Sequence, residues 1–437
     1  MSEKIHRILE ELESRLVEFG RKLHNHAESG WTEFWATAFI ADILIEAGYH
    51  VKMGREVLDA DFRMGLPDDE ALHAAAERAI AQGANPDLVE KMRGGFTGLV
   101  ADLKAGPAAR IALRFDIDSN TLQECEEVGH RPFDEGFSSR NNGSCHACGH
   151  DGNATIGLGI ALALAQLRES VSQNIRLIFQ PAEEGVRGAL PMVRAGVVDG
   201  IKALVGCHMG FKAFHTGGLI LGAGKFLATS KFDAHFTGVS SHAGAYPEEG
   251  QNSLLAAATA SLNMHAIPRH SGGATRITVG RMEAGEGRNI IPAQATLVSE
   301  TRGETTELND FMLEKAKKVI KHSAGMYDQA WQIKMMGGCK SGESDAEMIA
   351  LLRQSAEKVS FFQSELIEDY VEFGGSDDVT EFMAAVQEQG GIASYCLAGT
   401  ELVAGHHNYR FDFNEATLAP AAEFLTNAVF AMCELDL

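Results

Sequence analysis

Two thiols, two imidazoles and a carboxylate fall within the eight residues Ser144–Cys145–His146–Ala147–Cys148–Gly149–His150–Asp151, and an Ala/Leu-rich segment of helical texture follows at once. Soft and borderline ligands at a loop-to-helix junction are what a metal site needs. Other readings fit less well. Cys145 and Cys148 form a C-x-x-C, but no thioredoxin-like βαβ pattern precedes them. A c-type haem attachment needs His directly after the second Cys, where Gly149 stands. A structural zinc site needs a second ligand pair nearby, and Cys207 is distant and solitary. The remaining reading is a catalytic metal site in which Cys148 and His150 are ligands and the others arrive from distant loops.

Short apolar runs deliver such ligands repeatedly. Ile175 to Gln180 reads as a buried strand that ends in Pro181–Ala182–Glu183–Glu184–Gly185, and Ala203 to Cys207 ends in His208. Near the C-terminus, Gly405–His406–His407–Asn408 follows the apolar run Tyr395 to Leu397. Adjacent carboxylates at a strand end point in different directions, so one of Glu183 and Glu184 can bind metal while the other faces a reacting water. Taken alone, a Glu-Glu pair is more often a solvated turn. Strand followed by ligand, repeated, is how an open α/β sheet builds a site beyond the carboxyl ends of its strands.

In the run Arg110 to Asp118, Ile111, Leu113, Phe115 and Ile117 share one face, and Arg114, Asp116 and Asp118 the other. Asp116 and Asp118 are therefore expected to orient ligands or to bind metal.

Length and charge narrow the class. At 437 residues the chain has room for two or more domains. With 60 acidic against 38 basic side chains the net charge is −22, which disfavours nucleic acid and anionic membrane surfaces as partners. The longest apolar run, Ile156 to Ala165, is too short to span a bilayer. The charged amino end MSEKIHRILEELESRL carries no secretion signal, and seven scattered Cys form no secreted disulfide framework, so a reduced, cytoplasmic protein is expected.

In chain order, helices are expected over 4–25 and 33–47, the first from Ile5, Ile8, Leu9, Leu12 and Leu16 at helical spacing. His24 and His26 at its end read as packed or solvent-facing rather than as substrate contacts. Residues 55–95 interrupt a strand-rich region with helices over 68–82 and after Asn85–Pro86, a helical insertion that either caps a pocket or is purely structural. Alternating strands and helices then argue for an α/β fold with a mainly parallel sheet. From about 223 the texture becomes β-α-β-β-α-β, which fits an inserted α+β, ferredoxin-like domain. The α/β texture resumes near 335, giving a main domain over 1–222 and 335–437 around an insert over 223–334. Gly374–Gly375–Ser376–Asp377–Asp378 is a Gly-rich turn before a helix and lacks the marks of a phosphate cradle.

The set RFDID, HACGHDG, FQPAEEG, CHMG, SSHAGAYPEEGQNSLLAAA, GEGRNIIPAQATL and HHNYRFDFN resembles, over nearly the whole chain, the amidohydrolase branch of the aminoacylase and carboxypeptidase G type metallopeptidases. Within that branch, the stretch GREV…RMGLPD…GGFTGLVA resembles the hydrolases of aminobenzoyl-glutamate. The resemblance implies a catalytic domain with an inserted lid and dimerisation domain, and two divalent ions per subunit, manganese first and zinc as the alternative. It implies Cys148, His150, Glu184, His208 and His407 as metal ligands, with Cys148 as a bridge. His407 is preferred to His406 because the family's last ligand precedes Asn or Ser and then Phe-Asp. Glu183 would be the general base. His242, reaching the partner subunit's site, would polarise the scissile carbonyl. Asn289 and Arg302 would bind the substrate carboxylate, and the D-x-D and the 374–378 loop would lie beside the metals.

The implied reaction is hydrolysis of p-aminobenzoyl-glutamate by a homodimer formed through the lid, or by a heteromer with a homologous chain. The alternatives are hydrolysis of other N-acyl or indole-acetyl amino acids, and a catalytically silent member of a heteromeric hydrolase. One departure stands out. Asn153 occupies a position where the branch usually carries His in GHDGH.

Overall fold

The computed structural model describes residues 1–103 and 109–435. They form two compact units, one of Met1–Gly224, Glu343–Phe373 and Asp377–Leu437, the other of Lys225–Gly342 and Gly374–Ser376.

The first unit is built on an eight-stranded sheet in the order His50–Met53, Leu99–Leu103, Asn174–Gln180, Ala109–Asp116, Ala203–Met209, Ile392–Ala398, Leu219–Ile220, Ile367–Glu368. From Asn174–Gln180 through Ile392–Ala398 the neighbours are parallel. These strands are buried on both faces, hence their continuous apolar runs. The Arg114 and Asp116 side chains, on the polar face of theirs, are fully buried rather than dipping into water.

Three helices, Ser2–Asn25, His150–Gln166 and Leu418–Cys433, pack together against this sheet. Ile5, Leu9, Leu12, Leu16, Phe19 and Leu23 form the buried stripe of the first, as its spacing predicts. Truncating one of them, such as Leu16 to Ala, costs roughly 2–5 kcal/mol. His150–Gln166 runs through the core, and a Cβ on Gly157 would lie 2.7 Å from the Phe115 ring. The helix therefore needs Gly there to approach the strand whose end carries Asp116.

Ile156 to Ala165 is not the longest apolar stretch once helix boundaries are known. Glu415–Cys433 is longer, 19 residues with mean hydropathy 1.3, and meets the length and composition of a membrane span. Its window is 72% buried inside the protein, as for a core helix.

The 55–95 insertion joins two antiparallel neighbours, His50–Met53 and Leu99–Leu103. Its helices start where side chains satisfy their first N–H groups. Asp68 accepts from Ala71 N ahead of Asp69–Ala81, and Asn85 accepts from Asp87 N ahead of Pro86–Lys91.

The second unit is a four-stranded antiparallel sheet, Ala330–Cys339, Ala228–Thr237, Gln294–Gly303, Thr275–Ala284 in order, with the helices Ser253–His265 and Thr306–Gly325. Phe232, Ala234, Phe236 and Leu297 from the sheet and Ala260, Met264, Met312 and Ile320 from the helices make its core. The order β-α-β-β-α-β is that of a ferredoxin-like unit. The return to the main domain expected near 335 lies inside Ala330–Cys339, which pairs with Ala228–Thr237. A register shift between Met335 and Gly337 breaks the alternation and hides the strand's second half.

Candidate metal centre

Parallel strands that end at one edge place their following residues side by side. His208 sits at the end of Ala203–Met209, and Cys148 and His150 flank Gly149, which caps His150–Gln166 at φ 90. That left-handed glycine turns the chain between two ligand-type side chains. After Asn174–Gln180 the loop carries Ala182 at φ 51 and Val186 at φ 57 on either side of Glu183 and Glu184, and His407 has φ 63. Non-glycine residues in the left-handed region are costly and concentrate where function needs a fixed geometry.

Three overlapping groups result: Cys148 with His150 and His208, Cys148 with Glu184 and His407, and His150 with Glu183 and Glu184. Within each group the donor atoms lie within 4.8 Å of one another. Cys148 belongs to two groups. His406 belongs to none; its Nε2 lies 3.3 Å from Met209 O and its ring stacks on Phe211.

Both core imidazoles are held by Nδ1. His150 Nδ1 donates to Asp118 O and His208 Nδ1 to Met209 O, each at 2.8 Å, so in the neutral form of each ring the lone pair is on Nε2. His150 Nε2 is buried and makes no hydrogen bond among the described residues. His208 Nε2 faces Cys148 Sγ at 3.7 Å. A buried ring nitrogen aimed at thiol and carboxylate donors fits a divalent cation, and backbone carbonyls on the opposite nitrogens fix the tautomer such a ligand needs.

Asp118 organises the site. Its carbonyl holds His150, while its carboxylate accepts from Glu183 N at 3.0 Å and Glu184 N at 2.9 Å. Asn120 Nδ2 donates to Glu184 Oε1 at 2.6 Å. Asp116 Oδ1 accepts from Asn153 Nδ2 at 2.7 Å, and Asn153 Oδ1 accepts from Met209 N at 2.8 Å. Asn153 thus ties the D-x-D strand to the His208 strand.

A network that the sequence does not announce lies behind Glu183. Fully buried Arg114 donates to Asp116 at 2.6 Å, to Gln180 at 2.6 Å and to Asp377 at 3.3 Å. Tyr395 Oη donates to Asp377 at 2.6 Å, and Asp378 accepts from Gly188 N and Ala189 N. Glu183, Asp377 and Asp378 form a further carboxylate group. The signals are an arginine in the apolar run RIALRFD, a buried charge that must find partners, and the 374–378 loop that the resemblance puts beside the metals.

Electrostatics separates the two loop carboxylates. Burial, then Asp377 and Glu184, push Glu183 well above the usual range. Burial also opposes charge on Glu184, but His407, His150 and Asn120 outweigh it and hold its pKa at about 2. Adjacent carboxyls driven apart suit one to carry protons and the other to stay ionised. Burial pushes the Cys148 thiol up and brings His208 down to about 4.

The other candidates belong to the second unit. His242 is exposed, its Nδ1 accepts from Gly244 N at 3.2 Å and Ala245 N at 3.1 Å, and Nε2 is left as the donor. Asn289 O accepts from Ala243 N at 3.0 Å, and His242 bridges to Ile290, so Asn289 and His242 share one corner of that unit. Arg302 forms a forked pair with Glu300, at 2.9 and 3.2 Å. None of these three is in the ligand groups.

Residues 112–431 match the model of peptidase family M20/M25/M40. The chain belongs to this family. It is 45% identical over 97% of its length to one chain of the p-aminobenzoyl-glutamate hydrolase of Escherichia coli, covering 97% of that protein. It is also 45% identical over 97% of its length to the indole-3-acetyl-aspartic acid hydrolase of Enterobacter agglomerans, covering 96% of it. The crystal structure of an aminobenzoyl-glutamate utilization protein from Klebsiella pneumoniae superposes with a TM-score of 0.83 at 40% identity, over 98% of both chains. As a member of the M20 family, closely related to these hydrolases, the chain is a metal-dependent amidohydrolase.

Proposed function

We propose that this enzyme hydrolyses the amide of N-acylated acidic amino acids, with p-aminobenzoyl-glutamate as substrate and p-aminobenzoate and glutamate as products. The observation that carries the reading is the convergence of Cys148, His150, His208, Glu184 and His407 in overlapping groups, one of which includes Glu183, with His150 Nε2 buried and without a hydrogen-bond partner among the described residues. The two hydrolases at 45% identity are named for amides of glutamate and aspartate, which supports an acidic amino-acid half.

Cys148, His150, Glu184, His208 and His407 would hold two divalent ions. Manganese is the first choice, and zinc, which thiolate and imidazole also suit, is the alternative. When bound, the ions supply Lewis-acid activation of water and of the amide carbonyl. Glu183 takes the proton of the attacking water and passes it to the leaving nitrogen as the carbon–nitrogen bond breaks. His242, reaching the partner subunit's site, offers its Nε2 proton to the carbonyl oxygen there as negative charge builds. Asn289 and Arg302 hold a substrate carboxylate, for which Arg302 exchanges its fork with Glu300. The second unit serves as lid and dimer surface, pairing with a second copy or with a homologous chain.

The test is release of p-aminobenzoate from p-aminobenzoyl-glutamate by the purified chain alone, with manganese, with zinc and after chelation. Metal-dependent release supports the reading. Silence under every metal in a protein that carries two ions sinks it for the isolated chain. Indole-acetyl-aspartate is the second reading, because identity to its hydrolase is equally high. Turnover of that amide alone would decide for it.

A further inference from the structure

Three separated pieces of sequence meet at one phenyl ring in the first unit. Arg55 lies beside the short strand His50–Met53, Arg63 lies in the loop before Asp69–Ala81, and Phe96 precedes Leu99–Leu103. The guanidinium of Arg63 sits 3.5 Å, and that of Arg55 3.9 Å, from the centre of the buried Phe96 ring. Arg63 Nη1 donates to Gly94 O at 2.7 Å, while its Nε is buried with no hydrogen-bond partner. Among the described residues neither arginine pairs with a carboxylate, in a chain with 60 acidic side chains. Two like charges on one ring repel each other, an anion between them would relieve that repulsion, and a guanidinium fork matches a carboxylate.

This ring cluster is tied twice to the Glu183–Glu184 loop. On the Arg63 side, Arg187 Nη1 donates to Gly65 O at 2.8 Å and Arg187 Nε to Glu184 O at 3.0 Å. On the Phe96 side, Thr97 Oγ1 donates to Glu33 Oε2 at 2.6 Å, and Glu33 Oε1 accepts from Ala182 N at 2.7 Å. Trp31 Nε1 adds a bond to Met64 O at 2.8 Å. Hydrogen bonds therefore connect the segments around the ring to the loop that carries Glu183 and Glu184.

We infer that Arg55 and Arg63, stacked on Phe96, bind the side-chain carboxylate of the acidic amino acid and select glutamate or aspartate amides over neutral ones. The inference rests on the amidohydrolase reading above and adds to it the residues that read the side chain. It also gives the 55–95 insertion a task, because Arg55 and Arg63 belong to it.

The test compares p-aminobenzoyl-L-glutamate with p-aminobenzoyl-L-glutamine, nearly isosteric but neutral in the side chain. It uses the metal-loaded full chain, wild type and Arg55→Ala, Arg63→Ala and Arg63→Lys. The wild type should favour the glutamate amide, and each alanine variant should lower the glutamate-to-glutamine ratio of kcat/KM by about tenfold or more, mainly through KM. Arg63→Lys, which keeps the charge and loses the fork, should recover part of it. Arg55 is exposed, so its truncation leaves the core intact. An unchanged ratio in both alanine variants, or equal turnover of the two amides by the wild type, overturns the inference while leaving the amidohydrolase reading standing. If neither amide is hydrolysed, that reading fails instead, and calorimetry decides the site. Wild type must then bind free L-glutamate about tenfold tighter than L-glutamine, with Arg63→Ala abolishing the difference, and equal binding overturns it.

Discussion

His407 Nε2 lies 3.2 Å from Glu184 Oε1, whereas the neighbouring imidazole of His406 turns away to stack on Phe211 with ring centres 4.3 Å apart. The left-handed backbone of His407, φ 63, separates two adjacent side chains that sequence alone leaves nearly equivalent. The variants should differ accordingly. His407→Ala should lower the metal bound per chain from two ions toward one, and His406→Ala should leave two. Elemental analysis after gel filtration reads this directly, and loss of metal in His406→Ala with retention in His407→Ala would reverse the assignment.

Glu183 is held by its backbone N–H on Asp118 and is pushed toward its protonated form by burial, Asp377 and Glu184. Glu183→Gln keeps the size and removes the proton acceptor. We expect kcat to fall by roughly 10²–10⁴ while the metal content stays at the wild-type level. Normal turnover in a fully loaded Glu183→Gln would show that another group takes the proton.

How far this was legible in sequence depends on the range of the interaction. Asp68 and Asn85–Pro86 announce the insertion helices because capping is local, and the strand-then-ligand repeats announce the edge of the sheet because a parallel strand delivers its next residue there. Arg114 and Asp377 stand 263 residues apart, and no local pattern says that a buried arginine in one strand will meet that carboxylate. Cys148, His150 and His208 stand out by chemistry, but Asp118, whose carboxylate accepts from two backbone N–H groups, looks in sequence like a ligand as much as a scaffold. The Arg55, Arg63 and Phe96 cluster is tertiary altogether. So is the burial of Glu415–Cys433, which composition alone does not separate from a membrane span.

The amide of Asn153 does two jobs at once, donating to Asp116 Oδ1 and accepting from Met209 N next to His208. Asn153→Ala leaves a buried carboxylate oxygen and a buried N–H short of a partner. We expect metal affinity to drop by about 10–100-fold with little change in kcat at saturating metal. Asn153→Asp should be worse, since a second carboxylate would face Asp116. Competition against a chelator measures both, and wild-type affinity in both variants would remove Asn153 from the site's support.

The last expectation concerns pH and lies beside the centre. His24 is buried, its Nδ1 bonded to Asp151 Oδ2 at 2.8 Å and its Nε2 to Glu124 Oε1 at 2.9 Å, and His130 Nε2 shares that Glu124 oxygen at 3.0 Å. Burial opposes its charge, but the bonds to Asp151 and Glu124 outweigh burial and lift its pKa to about 10 from an ordinary 6.5. A raised folded-state value means that the folded protein binds a proton which the unfolded chain releases above 6.5, so the stabilisation is full below 6.5 and is lost as pH rises toward 10. His24→Gln removes the cation and leaves two buried carboxylates facing a neutral amide, at a cost of roughly 3–5 kcal/mol where His24 is charged. Urea melts of wild type and variant should therefore differ most near pH 6 and converge toward pH 10. A difference that stays flat over that range would mean that His24 is neutral in the fold and that Asp151 or Glu124 holds the proton instead.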